Sequence, residues 1–294
     1  MPAEIVWDMP ETEYHQLQRL SATHLKTAAT RSLADLKKYY EGEGPTSEGY
    51  WMGWLCHLKA NCPQEWDKRV VYPPSSLTEG ILTSDGKESK RPTQTLEYAR
   101  RYNEWEESQD RGAICVSEKD YLEAERITAA LTESECYAEC DAVEVVVLFD
   151  FFGEPAKCRI DGVKQVDGTL YDLYDWKFVK DTRKFWQDIW NYCYHIQTGF
   201  YEYGWKQAGM DCRHFCLVGV DKKRADPNYT VCAPMKEEDQ QLGVDEALYW
   251  LGRIREARQT GVWPGAESPD YWSRPAWYRS PLDLRTLETT EWTP

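Results

Sequence analysis

Residues 143–151 read VEVVVLFDF, and this almost continuously apolar run limits the fold more than any other stretch. A strand with one wet face alternates apolar and polar residues. A run without alternation predicts a strand covered on both faces. Two further strand-like runs follow. Gly153-Glu154-Pro155 makes a turn, and in 156–163 the alternation puts Cys158 and Ile160 on one face and Lys157, Arg159 and Asp161 on the other. Asp167-Gly168 is a hairpin signal. In 169–179 Leu173, Asp175, Lys177 and Val179 share one face, and Tyr174, Trp176 and Phe178 the other. Asp175 and Lys177 therefore point the same way, ~7 Å apart along the strand.

The flanking chain supplies helices and short strands. Residues 1–20 are mostly polar with apolar anchors at Ile5, Val6, Trp7, Leu17 and Leu20. Ser21 is placed to cap a helix running through Leu25 toward Leu36, and 41–49 is a loop. A second helix starts near Tyr50 and carries Gly53 and His57, one turn apart on one face; a small residue there lets the backbone approach a neighbour closely. Residues 63–95 are loop-rich, a polar helix spans 95–109, and Ile114–Val116 is a short strand. Ser117 caps a helix over 118–132, with Glu118 and Asp120 well placed in its first turn. Asp181 or Thr182 caps a long helix to about Ala208 with the stripe Phe185, Ile189, Ile196 and Phe200, and Gln197 and Tyr201 adjacent to it. Strands follow at 214–220 and 229–233, then a helix over 237–258 using Leu248, Leu251 and Ile254 and ending at Gly261. The tail, with Trp263, Trp272, Trp277 and Trp292, is expected to wrap the outside. This order predicts a single α/β domain over 1–294 with a central mixed sheet flanked by helices: an N-terminal helical segment (1–45), a core (46–262) and the tail (263–294).

A net charge of −15 argues against a protein that coats nucleic acid with its whole surface. It leaves room for basic groups gathered in one cleft. Lys177, Lys180, Arg183 and Lys184 form such a local reversal against Asp181, and Lys180, Arg183 and Lys184 are candidate contacts to a DNA backbone; the same stretch also reads as a solvated helix start. Ten cysteines include no C-x-x-C pair, so neither a zinc ribbon nor a disulfide framework is indicated. No apolar segment suggests secretion or a membrane span, and a cytoplasmic protein with reduced thiols is expected.

Phosphodiester hydrolysis needs an activated water and neutralisation of charge growing on phosphate oxygens. Carboxylates on adjacent strands suit a hard divalent cation such as magnesium, which keeps waters for the reaction. A lysine two residues from a ligand can orient or deprotonate the attacking water and stabilise the charged transition state. Asp161, Asp175 and Lys177 fit those roles. His57 is a candidate further ligand that would tilt the site toward manganese. Glu144 is a candidate additional carboxylate or a structural one. D-x-K alone is common; Asp161 at hairpin distance on a matched face makes the set more specific.

Taken together, Gly53–His57, Arg159-Ile160-Asp161, Asp175-Trp176-Lys177 and Gln197–Tyr201 resemble, in order, the G-x-x-x-H, R-x-D-like, (D/E)-x-K and Q-x-x-x-Y motifs of the RecB-type branch of the PD-(D/E)XK nucleases. Within it the chain most resembles the RecE-like, exonuclease VIII-type nuclease domains, through LSATHLK, HLKANCPQEWDKRVVYPP, YHIQTGFYEYG and VWPG. The similarity runs from about residue 10 to 280, with Ile160 where the superfamily's proline would stand. The resemblance to the branch's iron–sulfur nucleases is poorer, since their close C-terminal cysteine grouping is missing. The resemblance implies a magnesium-dependent exonuclease acting on double-stranded DNA ends from the 5′ side, assembled as a homo-oligomeric ring and partnered by a single-strand annealing recombinase. His57, Asp161 and Asp175 would be metal ligands, Lys177 catalytic, and Gln197 and Tyr201 would position DNA or brace the site. A DNA endonuclease of the same fold and a non-catalytic DNA-binding module are the competing readings.

Overall fold

The apolar run becomes an interior strand of a six-stranded sheet in the computed structural model, which describes residues 2–43 and 48–265. In chain order, β1 (Glu4–Val6) and α1 (Glu11–Gln16) lead to α2 (Ala22–Thr30), α3 (Leu33–Tyr40), α4 (Glu48–Asn61) and α5 (Pro63–Arg69). Then come β2 (Val70–Val71), α6 (Leu96–Glu107), β3 (Ile114–Cys115), α7 (Glu118–Thr132) and α8 (Glu135–Ala138). The sheet is completed by β4 (Ala142–Phe151), β5 (Glu154–Asp167) and β6 (Leu170–Val179), followed by α9 (Phe185–Asn191), α10 (Tyr194–Gln207), β7 (Asp211–Asp221), β8 (Thr230–Pro234) and α11 (Glu237–Thr260).

The sheet order is β1-β4-β5-β6-β7-β8. Only β6 and β7 run parallel, joined through α9 and α10; every other pair in this sheet is antiparallel. The expected mixed sheet flanked by helices is therefore what the chain forms. Gly168 takes the left-handed φ of +51° that the Asp-Gly hairpin requires. One face of the sheet buries Val147, Phe149, Cys158 and Leu173 against Leu25, Ile196, Phe200 and Leu251 of α2, α10 and α11. The other buries Tyr174, Trp176 and Val218 against Leu55, Trp66, Ile127 and Leu131 of α4, α5 and α7. At about 25 cal/mol per Å² of apolar area, these two layers are the main source of stability.

Several elements differ from expectation. The helix expected from Ser21 toward Leu36 breaks at Arg31, and Ser32 caps a second helix by accepting from Asp35 N–H at 3.0 Å. The long helix expected over 181–208 is a 3₁₀ turn and two helices, broken at Cys193, whose φ is +52°. Its single stripe is accordingly divided: Phe185 and Ile189 pack in a small separate cluster, Ile196 and Phe200 in the first face. The loop-rich 63–95 contains α5, started by Pro63 at its first turn. The strand at Ile114 pairs with Val70 outside the main sheet, and the polar N-terminus supplies the edge strand β1. Leu248 is 37% exposed, so only Leu251 and Ile254 of the expected α11 stripe are buried. Part of the loop at 41–49 and the tail with Trp272, Trp277 and Trp292 lie outside the described residues. No helix among the described residues is long and apolar enough to cross a membrane.

Candidate active site

The sheet opens where the two acids sit. The β5–β6 ladder pairs Val163 with Leu173 and Gly162 with Tyr174, a register that would next set Asp161 against Asp175. There the ladder gives way, and Trp176 N–H donates to Asp161 Oδ2 at 2.8 Å in place of a backbone carbonyl. The β4–β5 ladder skips the same point, running from Val143–Gly162 to Val145–Ile160. The residue it skips, Glu144, has a φ of +58°, which is strained for a side chain of this kind. The kink reverses the alternation: Ile160 and Val163, of opposite strand parity, both face the first core cluster. Asp161 is thereby turned into a gap that both helical layers can reach.

From one layer, α4 brings His57, whose Nδ1 lies 3.8 Å from Asp161 Oδ1 and whose ring meets Phe178 edge-on at 5.1 Å. One ligand atom each from His57, Glu144 and Asp161 lies within 4.8 Å of the others. Burial first, and Lys177 second, press the His57 imidazole down to about 4, leaving it neutral and able to donate a lone pair at neutral pH. Asn61, one turn further along α4, donates to Glu144 and accepts from Trp176 Nε1–H at 3.2 Å. Arg159 pairs with the other Glu144 oxygen. Gly53 does not play the part expected: a Cβ there would meet nothing within 4 Å.

From the other layer, α10 brings Gln197. Its amide donates to Asp175 Oδ1 and accepts from Lys26 Nζ of α2. The second Asp175 oxygen is ion-paired to Lys177. Burial raises the pKa of both Asp161 and Asp175, opposed by Lys177. Burial alone would lower that of Lys177, but Asp175 and Asp161 outweigh it and the net direction is up. Lys26, buried and next to the Lys177 charge, falls to about 7. The Tyr194 ring lies 4.9 Å from Lys177 Nζ and 5.1 Å from Lys26 Nζ, offering one π-face to both cations. Tyr201 is buried against Phe200 and Phe215, and no hydrogen bond joins it to either acid.

His57, Asp161, Asp175, Lys177 and Gln197 are thus brought together, with Glu144 on the His57 side. Lys180, Arg183 and Lys184 lie outside at the end of β6, exposed, with Arg183 forked onto its neighbour Asp181 at 2.8 and 2.9 Å. Sequence reasoning missed Lys26, Asn61 and Tyr194. Asn61 carried a signal, four residues after His57 on the same helix face. Lys26 carried none, because its partners come from α10, far along the chain.

This arrangement defines an α/β protein with carboxylates, an imidazole and lysines at the opening of a mixed sheet. The same fold occurs in a solved structure of an exonuclease candidate from Eubacterium rectale, which superposes with a TM-score of 0.59 over 94% of this chain and 98% of that one, at 14% identity. No protein-family model matches the chain, and no curated protein does.

Proposed function

We propose that the chain is a metal-dependent exodeoxyribonuclease of the PD-(D/E)XK type, RecE-like in its motifs, that degrades one strand of linear double-stranded DNA from the 5′ end. The observation that carries this reading is the convergence of His57, Asp161, Asp175 and Lys177 at the point where β5 and β6 part. Carboxylate oxygens with one neutral imidazole make a donor set that fits magnesium, with manganese able to substitute. Asp161, Asp175 and His57 would hold the ion, with Glu144 as a further carboxylate. Such an ion supplies Lewis-acid neutralisation of charge growing on the phosphate oxygens. Lys177 orients the attacking water and stabilises the anionic transition state. Gln197 fixes the Asp175 carboxylate, and Lys26 fixes Gln197.

The fold shared with an exonuclease candidate supports the nuclease reading. Assembly as a ring around DNA, with acidic faces outward, would reconcile the charge of −15 with a DNA substrate. A single-strand annealing recombinase is the partner that fits the product, a 3′ overhang.

The test is hydrolysis of linear duplex DNA labelled separately at the 5′ and 3′ ends, with magnesium and with chelator, beside a closed circle. Magnesium-dependent loss of the 5′ label with the circle intact is expected. Nicking of the circle would replace the exonuclease with an endonuclease. Failure to cleave with either metal, by folded protein that binds DNA, would leave only a binding module.

A further inference from the structure

We propose that the outer face of α9, with the two turns leaving the C-terminal ends of β6 and β7, is a binding shelf for single-stranded DNA. It rests on the nuclease reading above for its purpose, though not for its test. Three large aromatic side chains stand in solvent here: Trp186 is 63% exposed, Trp190 42% and Tyr192 54%. Trp186 and Trp190 are one turn apart and share a helix face. Trp186 meets no other ring among the described residues, and Trp190 has only the His195 ring, 4.8 Å away. By contrast Trp51, also exposed, is stacked on Trp54 at 5.1 Å, and Trp54 is hydrogen-bonded to Glu11.

The surrounding charge runs against that of the chain. Lys180, Arg183 and Lys184 follow β6, and Lys222, Lys223 and Arg224 follow β7; Lys222 N–H donates to Val179 O at 2.9 Å, so the two groups adjoin. The acids among them are Asp181, Asp188, Asp221 and Asp226, the last accepting from Asn228 N–H at 2.8 Å. Asp181 is committed to Arg183, and Asp221 to Arg224 at 3.5 Å and to the N–H groups of Lys223 and Arg224 at 3.0 and 2.9 Å. Six cations thus outnumber four carboxylates in a protein of net charge −15. Arg126 pins the second turn through the carbonyls of Lys222 and Lys223.

The shelf is continuous with the active site. Phe185, at the start of α9, packs over Gly219, where a Cβ would come within 2.7 Å of its ring, and Gly219 is the ladder partner of Lys177. The Tyr192 ring lies 5.8 Å from the Tyr194 ring, which faces Lys177. Exposed indoles beside a track of cations are the elements that hold unpaired bases and their backbone, and bases stacked inside a duplex cannot use the indoles. The occupant inferred is therefore a single strand leading to or from the acids.

The test measures anisotropy of a labelled oligo(dT) of ~20 nucleotides, and of a blunt duplex of equal length, in chelator. Trp186→Ala with Trp190→Ala is expected to weaken oligo(dT) binding at least about tenfold and duplex binding less than about threefold. Trp186→Phe with Trp190→Phe should restore most of the affinity, separating stacking from misfolding. Lys222→Glu with Lys223→Glu should weaken both ligands and flatten the salt dependence. Oligo(dT) affinity within about twofold of wild type in the double alanine variant would overturn the shelf. So would unchanged affinity with an altered oligomer size, which would make this face a contact between copies. Wild-type protein that binds oligo(dT) through the tryptophans yet cleaves nothing would sink the nuclease reading and leave the shelf standing; active wild type with an indifferent variant would do the reverse.

Discussion

The two sides of the candidate site are built on different terms. On the α10 side Asp175 is held by Lys177 and Gln197, and Gln197 by Lys26, so each side chain in the series has an internal partner. On the α4 side three ligand atoms converge within 4.8 Å, while His57 and Asp161 remain 3.8 Å apart, beyond hydrogen-bonding distance. The first is a clamp that fixes a carboxylate and a lysine. The second is a converging set of electron-pair donors with no donated hydrogen between its imidazole and the aspartate. On the proposed reading, His57, Glu144 and Asp161 would set the affinity for the cation, and the clamp would hold Asp175 and Lys177 in register with it.

Substitutions can break this division. The largest effect expected is from Asp161→Ala, which removes the carboxylate at the centre of the α4-side set: turnover of linear duplex should fall by about 10³ or more, with binding in chelator kept. Initial rates against magnesium concentration check it. Next is Gly243→Val. A Cβ at Gly243 would lie 2.0 Å from His195 O, and one at Gly199 2.3 Å from Gln240 O, so α11 and α10 meet backbone to backbone. Forcing them apart should cost about 3 kcal/mol in urea unfolding and should loosen Gln197 with α10. Third, Gln197→Ala unlinks Lys26 from Asp175 without touching the α4 side. A rate loss of about 10- to 100-fold is expected, with the apparent magnesium affinity less affected than in His57→Ala. If Gln197→Ala instead weakens magnesium as much as His57→Ala does, the two sides are one.

The smallest effect concerns α2, which carries Lys26. Ser21 N–H donates to His24 Nδ1 at 3.2 Å, closing a capping box that needs an unprotonated imidazole. Burial first, then Lys157, lower His24 from 6.5 to about 4. Between those values the unfolded chain binds more protons than the folded one, so stability falls as pH falls from about 6.5 toward 4. His24→Gln should remove that acid dependence, read as the change in urea midpoint with pH, and leave a difference of about 1 kcal/mol or less at pH 8.

The strands were legible because their signal is local. The unbroken apolar run at 143–151, the Asp-Gly turn and the alternation that puts Asp175 and Lys177 on one face are each readable within a few residues, and all three appear in the fold. The kink was not legible, because Glu144 has ordinary strand neighbours and its partners, Arg159 on β5 and Asn61 on α4, come from elsewhere in the chain. The break at Cys193 was hidden for the same reason: the helical stripe continues through it, while packing on two different clusters splits it. Lys26 shows the limit most clearly, since a lysine in an amphipathic helix reads as a solvated face until α10 is laid over it.

The central claim is that Lys177 serves chemistry and not assembly. Single-turnover cleavage of end-labelled duplex by Lys177→Ala, with affinity for the same DNA measured in chelator, tests it most directly. The account predicts cleavage reduced by about 10³ or more with affinity within about threefold of wild type. Cleavage at the wild-type rate would contradict it and remove Asp175-Trp176-Lys177 from the reaction.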